Sequence, residues 1–165
     1  MRYVAELAAK KAGWGKVLPE GQGLGFAVHR SFLSYVAAVV EVTIDSNGRW
    51  NVPHVYIAFD CGLAVNPDRV RAQLEGSVVF GLALARDSNI TVTNRRVDQD
   101  NFNNYKVLKM DMVPETSIHI VENDAPPAGV GEPGVPPIAL ALTNAIFAAT
   151  GKRLREMPFG PKISA

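Results

Sequence analysis

The stretch SYVAAVVEVTIDSNGRWNVPHVYIAFD, residues 34 to 60, restricts the possible folds of this chain more than any other. Two apolar runs rich in β-branched and aromatic residues flank DSNG at 45 to 48, and that tetrapeptide is turn chemistry. The pattern predicts a β-hairpin with strands over 36–44 and about 49–59. Asn47 and Gly48 are expected to supply the positive φ angles of a tight turn. Upstream, FAVHRSFLSYVAAVVEVTID reads as one or two strands. GQGLG at 21 to 25 leads into that run rather than into a helix, so it lacks the dipole of a phosphate cradle and reads as a loop.

Helical signals surround this core. Val4, Leu7, Ala8 and Ala12 recur at helical spacing and Gly13 follows as a stop, which predicts a helix over 2–12. Asn66 as cap, Pro67 in the first turn, and Val70, Leu74, Val78 and Leu82 spaced by four predict a second over 67–85. Pro136 and Pro137 open a third over 136–150, closed by Gly151, with Lys152 and Arg153 placed to suit its dipole. NITVTNRRV at 89 to 97 and TSIHIVEN at 116 to 123 read as strands, and QDNFNNYKVLKMDMVPE between them as an irregular connection. The order α, β, β, α, β, β, α predicts an α+β fold, a mixed or antiparallel sheet with packed helices, as one domain over residues 1–165.

With 17 basic against 16 acidic residues, the charge balance offers nothing to a nucleic-acid backbone or an anionic membrane, and no nucleic-acid partner is expected. A single cysteine, Cys61, excludes an internal disulfide and reads as a packed side chain. His29, His54 and His119 are too far apart for a short metal-binding motif, so no metal ligand is assigned within the chain. His119 alternates with Ile118 and Ile120, which predicts an exposed position on a strand. The apolar runs fall short of the roughly 20 residues that span a bilayer. The segment MRYVAELAAKKAG lacks the apolar core of a secretory signal.

One motif needs a decision. GVGEPG at 129 to 134 spells the glycine pattern of a dinucleotide-binding turn. That turn requires a strand running directly into the glycines. Here Pro126 and Pro127 intervene, Pro133 sits inside the motif, and no second parallel strand follows. Two readings stay open: a plain turn before a helix, or a rigid loop that aims Glu132 as a general base. A solvated loop glutamate would look the same.

Three segments together carry a resemblance. GVGEPGVPPIALALTNAIFAATGKRLREMPF, FDCGLAVNPDRVRAQLEGSVVFGLALA and GWGKVLPEGQGLGFAVHRSFLSYVAAVVEVTID resemble the C-terminal part of the molybdenum-binding large subunit of the xanthine oxidase family. The likeness is to the isoquinoline 1-oxidoreductase β subunit and membrane-bound aldehyde dehydrogenase type, and it runs from about residue 3 to 159. It implies a molybdenum-cofactor-binding domain and the oxidation of an aldehyde or an N-heteroaromatic ring, with water as the oxygen source.

The resemblance makes Glu132 the catalytic base and Gln73, in the Q-x-E-G segment, a cofactor contact whose amide can donate and accept toward the pterin. Gly76 is expected to let its helix approach another backbone, Gly129 and Gly131 to shape the base's loop, and Glu75 has no assigned role. The implied cofactor is molybdenum with molybdopterin cytosine dinucleotide. The implied partners are the remainder of the large subunit, a 2Fe–2S small subunit carrying the iron–sulfur clusters, a cytochrome c subunit and a small-molecule substrate. The chain alone is expected to be inactive, because the large subunits of that family are several times longer. The competing reading is a non-enzymatic α+β binding module that keeps the fold. Compartment stays open between periplasm, membrane surface and cytoplasm.

Overall fold

A computed structural model describes residues 1–163. The first helix, α1 (Arg2–Ala12), stops at Gly13 in the left-handed conformation. Three antiparallel strands follow: β1 (Gln22–Ser31), β2 (Ser34–Ile44) and β3 (Trp50–Asp60). Next come helix α2 (Pro67–Arg86), a two-stranded ribbon of β4 (Val92–Thr93) and β5 (Arg96–Val97), and a short 3-10 turn (Met110–Met112). Strand β6 (Glu115–Ile120) and helix α3 (Pro136–Thr150) complete the order. The main sheet runs β1-β2-β3-β6, with β6 parallel to β3, so the α+β expectation of a mixed sheet with packed helices holds.

The sheet is covered on both faces, which explains why β2 reads as a nearly unbroken apolar run. Val36, Ala38, Val40 and Val42 point to the side of α2 and α3, where Leu74, Val78, Leu142 and Ile146 complete the main core. Ala37 and Val39 point the other way, onto Val4, Ala8 and Ala12 of α1. Asn66 caps α2 as expected, accepting from the Arg69 N–H at 3.1 Å, with Pro67 in the first turn. Among the described residues no helix is long and apolar enough to cross a membrane.

The run before residue 44, expected as one or two strands, is two, folded at a tight turn in which Phe32 and Leu33 hold φ of 49° and 65° without a glycine to mark it. Three local expectations need correction. In the β2–β3 turn Gly48 has positive φ and Asn47 does not; Asp45 holds the loop instead, its carboxylate accepting from the Asn47 and Arg49 N–H groups. That is a type I turn closed by a left-handed glycine. The 89–97 segment is not one strand but the β4–β5 ribbon, folded at Asn94 and Arg95. GQGLG is not a loop: Gly23 and Gly25 lie within β1, and α3 crosses directly over them.

Candidate active site

A cavity at the start of α3 follows from a mismatch of lengths. Odd-numbered residues of β1 face α3: a Cβ at Gly23 would run into Ala145 and Ala149, and one at Gly25 into Ala141 and Ala145. Two residues along a strand advance ~6.7 Å, about the same as four residues of helix. Continuing that pairing brings Ala27 near the first turn of α3, which begins at Pro136. His29 and Ser31 then fall at and beyond the helix start, on the same face with no helix above them. The gap is a cavity of about 510 Å³, lined by those two residues and Phe32 from β1 and its turn, by one face of α2, and by the loop entering α3.

The α2 wall consists of Gln73, Gly76, Ser77 and Phe80, spaced as a helix places neighbours on one face. Ser77 is buried and donates to the Gln73 carbonyl at 2.8 Å. The third wall is Gly131, Glu132, Val135 and Pro136.

The loop carrying Glu132 is tied down at both ends. Asn123 donates to the Asp60 carboxylate at 2.6 Å, the Leu63 N–H donates to the Ala125 carbonyl at 2.9 Å, and the Ala128 N–H donates to the Cys61 carbonyl at 2.9 Å. The Gly129 N–H donates to the Phe32 carbonyl at 2.9 Å, and the Ser34 hydroxyl donates to the Gly129 carbonyl at 2.6 Å. Past Glu132, Gly134 packs on Ser77, where an added Cβ would lie 2.8 Å from the serine side chain. The Val135 N–H then closes the turn onto the Glu132 carbonyl at 3.0 Å.

Glu132 and Gln73, singled out from the sequence, therefore line the same cavity from two elements 59 positions apart in the chain, 132 minus 73. Both side chains are exposed to it. Among the described residues nothing lies within 4 Å of a Cβ added at Gly76, so no close backbone approach is made there within this chain, whereas Gly81 and Gly134 allow close packing around α2. Gly131 is equally open on its cavity side. His29 and Ser31 were missed as site residues, because the alternation that puts them on one strand face says nothing of where α3 starts.

Other candidates lie elsewhere. Cys61 is buried; burial first, then the neighbouring Asp60 charge, pushes its thiol pKa up, as suits a packed side chain. His119 is half-buried rather than exposed, and burial first, then Lys11 and Arg71, lower its pKa. His54 stacks on Tyr56 and shares a 2.8 Å hydrogen bond with the Ser117 hydroxyl. Among the described residues, no group of three or more His, Cys, Asp or Glu side chains is arranged to hold a metal ion.

Residues 5–114, holding β1 to β5, α2 and Gln73, match the molybdopterin cofactor-binding domain family. The chain belongs to that family. This molybdopterin-binding domain is 35% identical over 145 residues to isoquinoline 1-oxidoreductase subunit beta of Brevundimonas diminuta, a match covering 87% of the chain and 19% of that subunit. It is 34% identical over 158 residues to a membrane-bound aldehyde dehydrogenase (pyrroloquinoline-quinone) of Gluconacetobacter polyoxogenes, covering 92% of the chain and 20% of the relative. The chain thus spans about a fifth of the length of these two curated relatives. Its fold superposes on quinoline 2-oxidoreductase of Pseudomonas putida 86 with a TM-score of 0.70 at 19% identity, over 78% of this chain and 18% of that one.

The cavity suits such a group on two counts. Gly76 and Gly131 leave open space where any other residue would place a Cβ, and the buried Ser31 hydroxyl on the sheet side has no partner. The volume lies within the usual range for small-molecule and cofactor sites.

Proposed function

We propose that this domain is the C-terminal part of a molybdenum hydroxylase large subunit and carries the catalytic base and one wall of the cofactor site. The reading rests on one observation above the rest: Glu132 and Gln73, from a loop and a helix far apart in sequence, meet at one cavity. When bound, molybdenum and its pterin supply the two-electron oxidation of a substrate carbon. The substrate class is an aldehyde or an N-heteroaromatic ring, which fits a cavity with Phe32, Phe80 and Val135 among its walls. The cofactor is taken to be the cytosine dinucleotide form, with electrons leaving through a 2Fe–2S subunit and a cytochrome c subunit on separate chains.

In this scheme Glu132 accepts a proton at its carboxylate from the water-derived oxygen that becomes the product's new oxygen. Pro133 restricts the backbone of Glu132 just before it, and the bonds from Gly129 to Phe32 and Ser34 hold the loop that carries the carboxylate. The Gln73 amide offers one donor group and one acceptor to the polar edge of the pterin. The three apolar side chains limit the water that can enter beside the base. Since the chain spans a fifth of its relatives, the domain alone is proposed neither to hold the cofactor firmly nor to turn over substrate.

The test is Glu132→Gln in the complete large subunit with its iron–sulfur partner, assayed with an aldehyde and with isoquinoline, molybdenum being measured on both proteins. Glutamine keeps the shape and loses the proton acceptor, so turnover is expected to fall by about a hundredfold or more while the metal is retained. Full turnover with metal in place would leave GVGEPG as no more than a turn before a helix.

A further inference from the structure

We infer that the Ser31 hydroxyl is a third polar contact to the group held in this cavity, made from the sheet side to one hydrogen-bond acceptor of that group. The inference rests on the cofactor-site reading above. Ser31 is the last residue of β1, lies on the face that carries Gly23, Gly25 and Ala27, and lines the cavity just past the start of α3. Its hydroxyl is the single buried side-chain nitrogen or oxygen atom, among the described residues, without a hydrogen-bond partner. Buried polar groups rarely stay unpaired, because burial strips off water and returns nothing.

Serines normally escape that cost locally, and the two other serines beside the cavity do. Ser77 donates back to the Gln73 carbonyl, and Ser34, the register partner of Ser31, donates to the Gly129 carbonyl. The Phe32 carbonyl, next along the chain, takes the Gly129 N–H. The loop's closure thus uses the neighbouring groups and leaves this hydroxyl unpartnered and shielded from solvent in a residue that lines the cavity, where rotation about the Cα–Cβ bond presents it to a bound acceptor. A bound molecule that supplies an acceptor would be gripped from three separate elements: β1 through Ser31, α2 through Gln73, and the α3 entry loop beside Glu132.

A contact of this kind has a signature that a structural serine lacks. Removing an unsatisfied hydroxyl leaves the empty protein as stable or more stable, yet loosens the loaded one. The experiment uses the complete large subunit with its iron–sulfur partner, as wild type, Ser31→Ala, Ser31→Thr and Gly131→Val. Each is made in a host that synthesises molybdopterin and in one blocked in that synthesis. Thermal midpoints are read on the empty proteins, and molybdenum and pterin content on the loaded ones during dialysis.

The expected result for Ser31→Ala is an unchanged or higher midpoint when empty and about three- to tenfold faster loss of molybdenum and pterin when loaded, the span of one hydrogen bond. Ser31→Thr, which keeps the hydroxyl, should hold the group as wild type does. Retention by Ser31→Ala at the wild-type rate overturns the inference, as does a lowered midpoint of the empty variant, which would mean the hydroxyl is satisfied within the protein. Gly131→Val separates the two claims by filling the cavity. If it loads poorly while Ser31→Ala loads and holds normally, the cavity reading stands and the Ser31 contact falls. If both load and hold normally, the cofactor does not sit here.

Discussion

At Gly76, in the middle of α2, helix propensity and cavity shape demand opposite things. Alanine in a helix interior is favoured over glycine by ~0.5–1 kcal/mol. A Cβ here would meet nothing within 4 Å, so Gly76→Ala carries no packing penalty, yet the methyl would project into space that the cavity uses. The expected outcome is a split: a higher thermal midpoint for the empty protein and a lower molybdenum content for the loaded one. A gain on both measurements would show that the open side of Gly76 is not where the cofactor lies. At this scale the site was half legible. Glu132 and Gln73 sit in short motifs that carry the family resemblance; without it, each would read equally well as an exposed polar side chain. Ser31 sits in no motif, and its importance comes from a missing partner, which depends on where three other elements end.

Elements were legible wherever a residue carries its own conformational instruction. Pro67 and Asn66 start α2, and Gly13 and Gly151 stop α1 and α3, because their backbone preferences or capping atoms act locally. The β1–β2 turn was illegible for the opposite reason. Phe32 and Leu33 both occupy the left-handed region, which costs an ordinary residue roughly 1–2 kcal/mol, and nothing in SFLS announces it. The surroundings impose it: the Ser34 hydroxyl and the Phe32 carbonyl together hold Gly129, and with it the loop of Glu132.

Strain of this sort can be measured. The Leu33 side chain is 75% exposed, so Leu33→Gly gives up little burial and removes the backbone cost, against ~0.4–1 kcal/mol of extra freedom in the unfolded chain. A net gain of about 0.5–1 kcal/mol, or ~1–3 °C in thermal midpoint, is expected. Leu33→Ala, which keeps a Cβ at the same φ, should show none of it. Equal midpoints for the glycine and alanine variants would mean the turn is not strained.

For the whole molecule, the decisive contact is α3 lying on the bare backbone of β1. Reading GQGLG from the sequence as a loop was reasonable, since glycine is poor in strands and alternation breaks down where side chains vanish. Its placement in β1 becomes intelligible once α3 is seen to need the space. Gly23 and Gly25 bring the helix close enough for Ala141 and Ala145 to touch the strand, and this sets how far α3 reaches toward Ser31 and where the loop of Glu132 must enter. Sheet, helix and site are therefore coupled through a residue distant from the cavity. Gly25→Ala tests the coupling, because its methyl would overlap the Ala141 carbonyl and the Ala145 amide, and backbone cannot yield as a flexible side chain can. The variant is expected to lose ~1–3 kcal/mol or more and to fail in cofactor retention, since the helix can make room only by moving away from β1 and carrying the loop with it. Gly76→Ala is the matched comparison: the same added methyl, raising the midpoint of the empty protein where Gly25→Ala lowers it. If Gly25→Ala melted at the wild-type temperature and kept its molybdenum, the seating of α3 on β1 would not be what holds the cavity in shape.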